Sequence, residues 1–124
     1  RRQIKQFMRS GELVSARKLI QEYFTYEPDN ALVRRFDAMC DVRQGSVNKG
    51  LQKLITLIKE DPNDTSSMML LAKSRLNIPQ LRNKAGLEVT KEILETVLAI
   101  DTENGQAKIL LDDIAKMLTP KDEE

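Results

Sequence analysis

GELVSARKLIQEYFTYEPDN occupies residues 11–30, and GSVNKGLQKLITLIKEDPND occupies residues 45–64. The two stretches share one frame. Gly11 and Gly45 are 34 residues apart, as are Pro28 and Pro62. Five places after each glycine stands a small residue, Ala16 or Gly50, and four places later a large aliphatic one, Ile20 or Leu54. Each stretch closes on an acidic-proline-turn tetrad, Glu27-Pro28-Asp29-Asn30 and Asp61-Pro62-Asn63-Asp64. A fixed period of this length means stacked supersecondary units, because one unit cannot bury its apolar face alone.

Outward from these stretches the chain reads as helices. Ile4, Phe7 and Met8 form one apolar stripe within residues 1–10, a short basic segment that reads as the remaining half of a longer helix. Residues 12–26 carry Leu13, Ala16, Leu19, Ile20, Tyr23 and Phe24 at helical spacing. Pro28 blocks continuation, and Asp29 or Asn30 can cap the next helix. Residues 31–44 align Leu32, Val33, Phe36, Met39, Cys40 and Arg43; residues 47–60 align Val47, Leu51, Leu54, Ile55 and Ile58. Asp64 caps the helix expected over 65–77, with Met68, Met69, Leu71, Ala72 and Leu76. The register then changes. Asn77–Ala85 reads as a loop, a helix is expected from near Gly86 to Ile100, and its closing Asp101-Thr102-Glu103-Asn104 falls 40 residues after the previous tetrad. A last helix spans 105–118, and residues 119–124 read as a solvated tail. The total is seven helices.

Composition agrees with an all-α chain. Of 124 residues, 40% are apolar and 31% charged, while aromatics at 4% are too few for a sheet protein. Net charge is +1, which supplies no bulk attraction to nucleic acid or an anionic membrane. The charge is uneven: residues 1–60 hold 12 Lys/Arg against 7 Asp/Glu, and residues 61–124 hold 8 against 12. Cys40 has no second cysteine to pair with, which is consistent with a cytoplasmic or other reducing intracellular compartment. No stretch reads as a membrane span or a signal peptide. A start at Arg1 rather than Met points to excision from a longer chain.

The pattern resembles the tetratricopeptide repeat (TPR) family, whose unit is a helix–turn–helix of about 34 residues with a small residue in the second helix and a proline at its end. The matching residues are Ala16, Ile20 and Pro28; Gly50, Leu54 and Pro62; and, in a degenerate copy, Thr90, Leu94 and Thr102. The resemblance implies a right-handed helical-repeat solenoid of antiparallel helices: repeats at about 1–30, 31–64 and 65–104, and a capping helix at 105–118. The family's first-helix pattern is poorly kept, with Arg34, Asp37 and Ala38 at its places in the second repeat.

Family geometry implies a concave groove lined by the first helix of each pair. Its positions carry Arg1, Lys5, Met8 and Arg9, then Leu32, Arg35, Met39, Val42 and Arg43, then Met69, Lys73 and Leu76, then Ile109. Ser66, Asn77, Gln106, Asp113 and Lys116 also stand at groove-facing positions. Basic and flexible apolar groups suit an acidic, amphipathic peptide or helix of a partner protein. The clamp by which some arrays of the family hold chaperone tails is not kept: Lys5, Phe36, Met39, Ser66 and Leu70 stand at its places. The loop's Ile78, Pro79 and Leu81, beside Arg82 and Lys84, are either a second contact or packing against the loop's own helices.

A non-catalytic interaction scaffold is therefore the expected function. No histidine is present, no phosphate-binding glycine motif occurs, and Cys40 lies on an apolar stripe, so neither catalysis nor a metal or cofactor is expected. The alternative is head-to-tail self-association between a positive and a negative half. Repeats of this period also read single-stranded RNA, but no exposed aromatic platform offers itself, since Phe7 and Phe36 fall on core stripes.

Overall fold

A computed structural model describes residues 1–119; the expected tail therefore lies, from residue 120 onward, outside the described residues. Among those described there are seven α-helices and no strand: α1 (Arg2–Ser10), α2 (Leu13–Phe24), α3 (Ala31–Arg43), α4 (Val47–Glu60), α5 (Thr65–Leu76), α6 (Lys84–Ile100) and α7 (Gly105–Leu118). The fold is an all-α helical repeat.

Helix ends follow the punctuation. Asn30, Asp64, Asn83 and Asn104 each accept a backbone N–H three residues on, at 3.1, 2.9, 2.7 and 2.9 Å. Such a cap satisfies an otherwise orphaned donor and contributes about 1 kcal/mol. Gly11 and Gly45 end α1 and α3 at φ 78° and 97°, a left-handed conformation that favours glycine. Their hydrogen bonds repeat at the same interval: Gly11 and Glu12 donate to Met8 and Phe7, and Gly45 and Ser46 donate to Val42 and Asp41. The loop of residues 77–83 is partly ordered, with a 3₁₀ turn over Pro79–Leu81 that packs on α5 and α6. With Asn83 as its cap, α6 starts at Lys84, two residues before the expected Gly86.

The chain forms two compact units, Arg1–Glu60 and Asp61–Glu124. In the first, α1 packs on α2 and α3, and α3 also packs on α2 and α4. Ile4, Met8, Ala16, Ile20, Val33 and Cys40 form its core, ringed by Phe7, Leu19, Tyr23, Phe36 and Met39. In the second, α6 packs on both α5 and α7. That unit buries Met68, Met69, Leu71 and Ala72 of α5, Leu87, Leu94 and Val97 of α6, and Ala107 and Ile114 of α7.

The small positions are buried between packed helices. Ala16 and Ile20 are fully buried, as are Leu54 and Leu94, and Thr90 is 1% exposed. A Cβ on Gly50 would stand 2.6 Å from the Ala38 carbonyl oxygen and 2.6 Å from Val42 Cγ2, so α3 and α4 meet backbone to backbone there. Thr90 fits because its hydroxyl is satisfied. It donates to the Gly86 carbonyl at 3.1 Å and accepts from Arg75 Nε at 2.9 Å.

One side of α3 carries a charge network. Asp37 and Asp41 are 8% and 5% exposed. Arg17 of α2 reaches both at 2.8 Å, and Lys53 of α4 reaches them at 2.7 and 2.6 Å. Arg17 Nε also donates to Gln44 at 3.0 Å. Two cations thus face two acids that burial would otherwise penalise. Burial pushes the Asp41 carboxyl up, but the Lys53 hydrogen bond and the charges of Lys53 and Arg17 outweigh it and hold the group below its ordinary value. Burial likewise pulls Lys53 down, and the hydrogen bonds it donates to Asp37 and Asp41 more than restore it.

Gly50→Val should lower the unfolding free energy by about 2–3 kcal/mol through overpacking. Gly105→Ala, where nothing lies within 4 Å, should be neutral or slightly stabilising; urea titration of both variants checks this. Asp41→Asn should destabilise by about 1–3 kcal/mol at pH 7. Because the folded Asp41 value is depressed, its contribution is present above the unfolded carboxylate range near pH 4 and is lost as pH falls through the folded value. Melting curves of wild type and variant should therefore converge in strong acid. The raised Lys53 value acts in reverse: its contribution is complete below about pH 10 and is lost as pH rises through the folded value.

Candidate functional site

Helix arithmetic divides α3 into two sides. At about 100° per residue, Arg34, Asp37 and Asp41 share one side with the charge network, and Leu32, Arg35, Met39 and Arg43 share the other. Leu32, Arg35 and Met39 are half-buried and Arg43 is exposed. Beside them lies α1, whose Ile4 and Met8 are buried and whose Arg1, Lys5 and Arg9 are exposed. On these two helices of the first unit, Arg1, Lys5, Arg9 and Arg43 are exposed and the apolar Leu32 and Met39 are half-buried. Among the described residues Arg1, Lys5 and Arg9 make no side-chain ion pair.

Three of the expected contact residues make contacts within the first unit. Met8 is 7% exposed, and its sulfur lies 3.5 Å from Cys40 Sγ, so it forms the floor between α1 and α3. Arg43 Nη1 donates to the Met8 carbonyl oxygen at 2.6 Å, placing its charge at the C-terminal end of α1, where the helix dipole favours a cation. Val42 lies against Gly50 and belongs to the α3–α4 contact. In each case an interhelical distance, invisible in the one-dimensional pattern, decides what a stripe-edge residue does.

In the second unit, Met69 is 8% exposed and packs as core, while Lys73 and Leu76 are half-buried at the C-terminal half of α5. On α7, Ile109 is 63% exposed, Gln106, Asp113 and Lys116 are exposed, and Lys116 pairs with Asp112 at 3.3 Å. Ser66 and Asn77 are exposed too. Ile78 and Leu81 of the loop are half-buried, and the Leu81 carbonyl abuts Gly86, so this segment packs on its own helices. The Cys40 thiol is fully buried, and burial pushes it up, which suppresses the thiolate. Among the described residues no cluster of three or more His, Cys, Asp or Glu is placed to hold a metal, and no helix is long and apolar enough to cross a membrane.

The Arg17–Asp37–Asp41–Lys53 group was not expected from the sequence. Its signal was present: Asp37 and Asp41, four apart, flank the same stripe as buried Val33 and Cys40. Acids bordering an apolar stripe call for cations from neighbouring helices.

No protein-family model matches the chain, and no curated protein matches it. Among solved structures the chain is similar to the first TPR of Spaghetti (RPAP3), determined bound to the HSP90 peptide SRMEEVD. The TM-score is 0.76, with 16% sequence identity over 94% of this chain and 90% of that one. The likeness shows a TPR-like fold.

Arg43→Met should lower the unfolding free energy by about 1–2 kcal/mol by removing a charged hydrogen bond from the end of α1. Lys5→Glu should stay within about 0.5 kcal/mol of wild type, and Arg9→Glu should cost about 0.3–1 kcal/mol because it puts an acid in the last turn of α1. Chemical denaturation of the three variants separates the two roles.

Proposed function

We propose that this chain is a non-catalytic protein-interaction module that holds an acidic, amphipathic peptide or helix of a partner protein on the α1–α3 face. One observation carries the reading: Lys5 and Arg9, exposed and without an ion pair among the described residues, stand on the helix packed beside α3, which carries half-buried Leu32, Arg35 and Met39. The cations give orientation and association rate, and the methionine adapts to the partner's apolar anchors. Lys73, Leu76 and Ile109 of the second unit offer further groups of the same two kinds. The TPR-like fold supports the reading, since the similar structure holds a peptide. The helix pairs α1–α2, α3–α4 and α5–α6 are taken as the three repeats, about 1–30, 31–64 and 65–104, with α7 over 105–118 as the cap. The matched burial at Ala16, Gly50 and Thr90 supports that division.

The peptide seen in the similar structure is not the expected ligand. Of the positions that would clamp a chaperone tail, Lys5 alone supplies a cation; Phe36 is packed against the core and Leu70 is half-buried. SRMEEVD should therefore bind with a Kd weaker than about 100 μM, whereas a glutamate-rich amphipathic helical peptide should bind more tightly. Fluorescence anisotropy measures both. Lys5→Glu combined with Arg9→Glu should weaken the helical peptide more than tenfold while the variant stays folded. Equal affinity for wild type and double variant would remove the α1–α3 face from consideration.

A further inference from the structure

A concavity in the first unit lies on the side of α3 away from Leu32, Arg35 and Met39. It has a volume of about 540 Å³, and Phe24, Pro28, Arg34, Asp37, Lys49 and Lys53 line it with Gln52 and Thr56. That is within the size range of ligand pockets. Its walls differ in chemistry. Phe24, half-buried at the end of α2, and Pro28 in the following turn make an apolar wall. Lys49, Gln52, Lys53 and Thr56, at spacings of three and four, make a polar stripe on α4.

The charges lining the cavity are compensated internally with one exception. Arg34 forms a two-pronged pair with Glu60 at 2.8 and 2.7 Å. Asp37 is matched by Arg17 and Lys53. Lys49 is exposed and, among the described residues, has no ion pair; the neighbouring Gln52 side chain is likewise exposed. The cavity therefore presents one uncompensated positive charge, an amide donor beside it and an apolar wall opposite. One carboxylate satisfies that charge. A dianion would exceed it and would face Asp37.

We propose that this cavity is a second docking site, taking a peptide segment in which an aromatic side chain neighbours a single Asp or Glu. The aromatic group lies against Phe24 and Pro28, and the carboxylate accepts from Lys49 Nζ and the Gln52 amide. The site shares no residue with the α1–α3 face and stands whether or not that face binds peptide.

The test is an NMR titration of the ¹⁵N-labelled chain with acetyl-Phe-Asp-amide, acetyl-Phe-Lys-amide and 4-phenylbutyrate. The expected result is saturable shifts at the amides of Phe24, Gln52, Lys53 and Thr56 with the aspartyl probe. Affinity should fall at least tenfold with the lysyl probe and in Lys49→Glu. Since Lys49 is exposed and unpaired, the variant should keep the wild-type melting temperature and overall spectrum. The proposal is overturned by an absence of saturable shifts at millimolar probe, by shifts confined to Lys5 and Arg35, or by affinity that Lys49→Glu leaves unchanged. It is also overturned if 4-phenylbutyrate binds more tightly than the aspartyl probe, which would make the occupant a small carboxylate rather than a peptide.

Discussion

Two helices joined by a short turn pack closely only where one of them presents almost no side chain to the other. In this chain that constraint falls at Ala16, Gly50 and Thr90, and its sharpest expression is Gly50, whose missing Cβ is replaced by the Ala38 carbonyl and the Val42 side chain. Close contact at that point brings Leu54 into a fully buried site one helical turn later. It also brings Lys53 within reach of Asp37 and Asp41. Apolar packing and the charge network are two results of the same interhelical distance. At the third site the larger Thr90 is accommodated only because Arg75 and the Gly86 carbonyl satisfy its hydroxyl.

The helix most affected is α3. One side is locked by ions to α2 and α4, and the other carries the half-buried Leu32, Arg35 and Met39. Ion pairs with partners that are a quarter to a third exposed contribute modestly to stability. Their geometric effect is larger than their energy. Carboxylates bridged by Arg17 and Lys53 fix the rotation of α3 about its axis, and that rotation determines which residues face α1. A helix held only by apolar contacts would tolerate a wider range of rotations.

Helix spans were legible in the sequence because their ends are marked chemically. Pro28 and Pro62 lack an N–H, Gly11 and Gly45 take positive φ, and Asn30, Asp64 and Asn104 cap within a residue of where the pattern puts them. These are local effects that neighbours in sequence decide. The candidate face was less legible. Lys5 and Arg9 are exposed and Leu32 and Met39 half-buried, but Met8, Val42, Arg43 and Met69 stand at the margins of apolar stripes. Whether a margin is core or surface depends on where the next helix lies, and spacing within one helix does not contain that. The charge network failed for the same reason: its members come from three helices, and Arg17 lies 24 residues from Asp41.

The cap of α7 has one more property. Asn104 is followed by Gly105, the sequence pair in which an asparagine side chain cyclises most readily, because a glycine amide nitrogen meets least hindrance in attacking the side-chain carbonyl carbon. Here that side chain is occupied, its oxygen held by the Ala107 N–H at 2.9 Å, and Gly105 is already wound into the first turn. Ring closure demands that this turn come undone. The chemical ageing of the polypeptide at Asn104 is therefore timed by fraying of α7, and conversion to isoaspartate, which adds a carbon to the main chain, would make the fraying permanent.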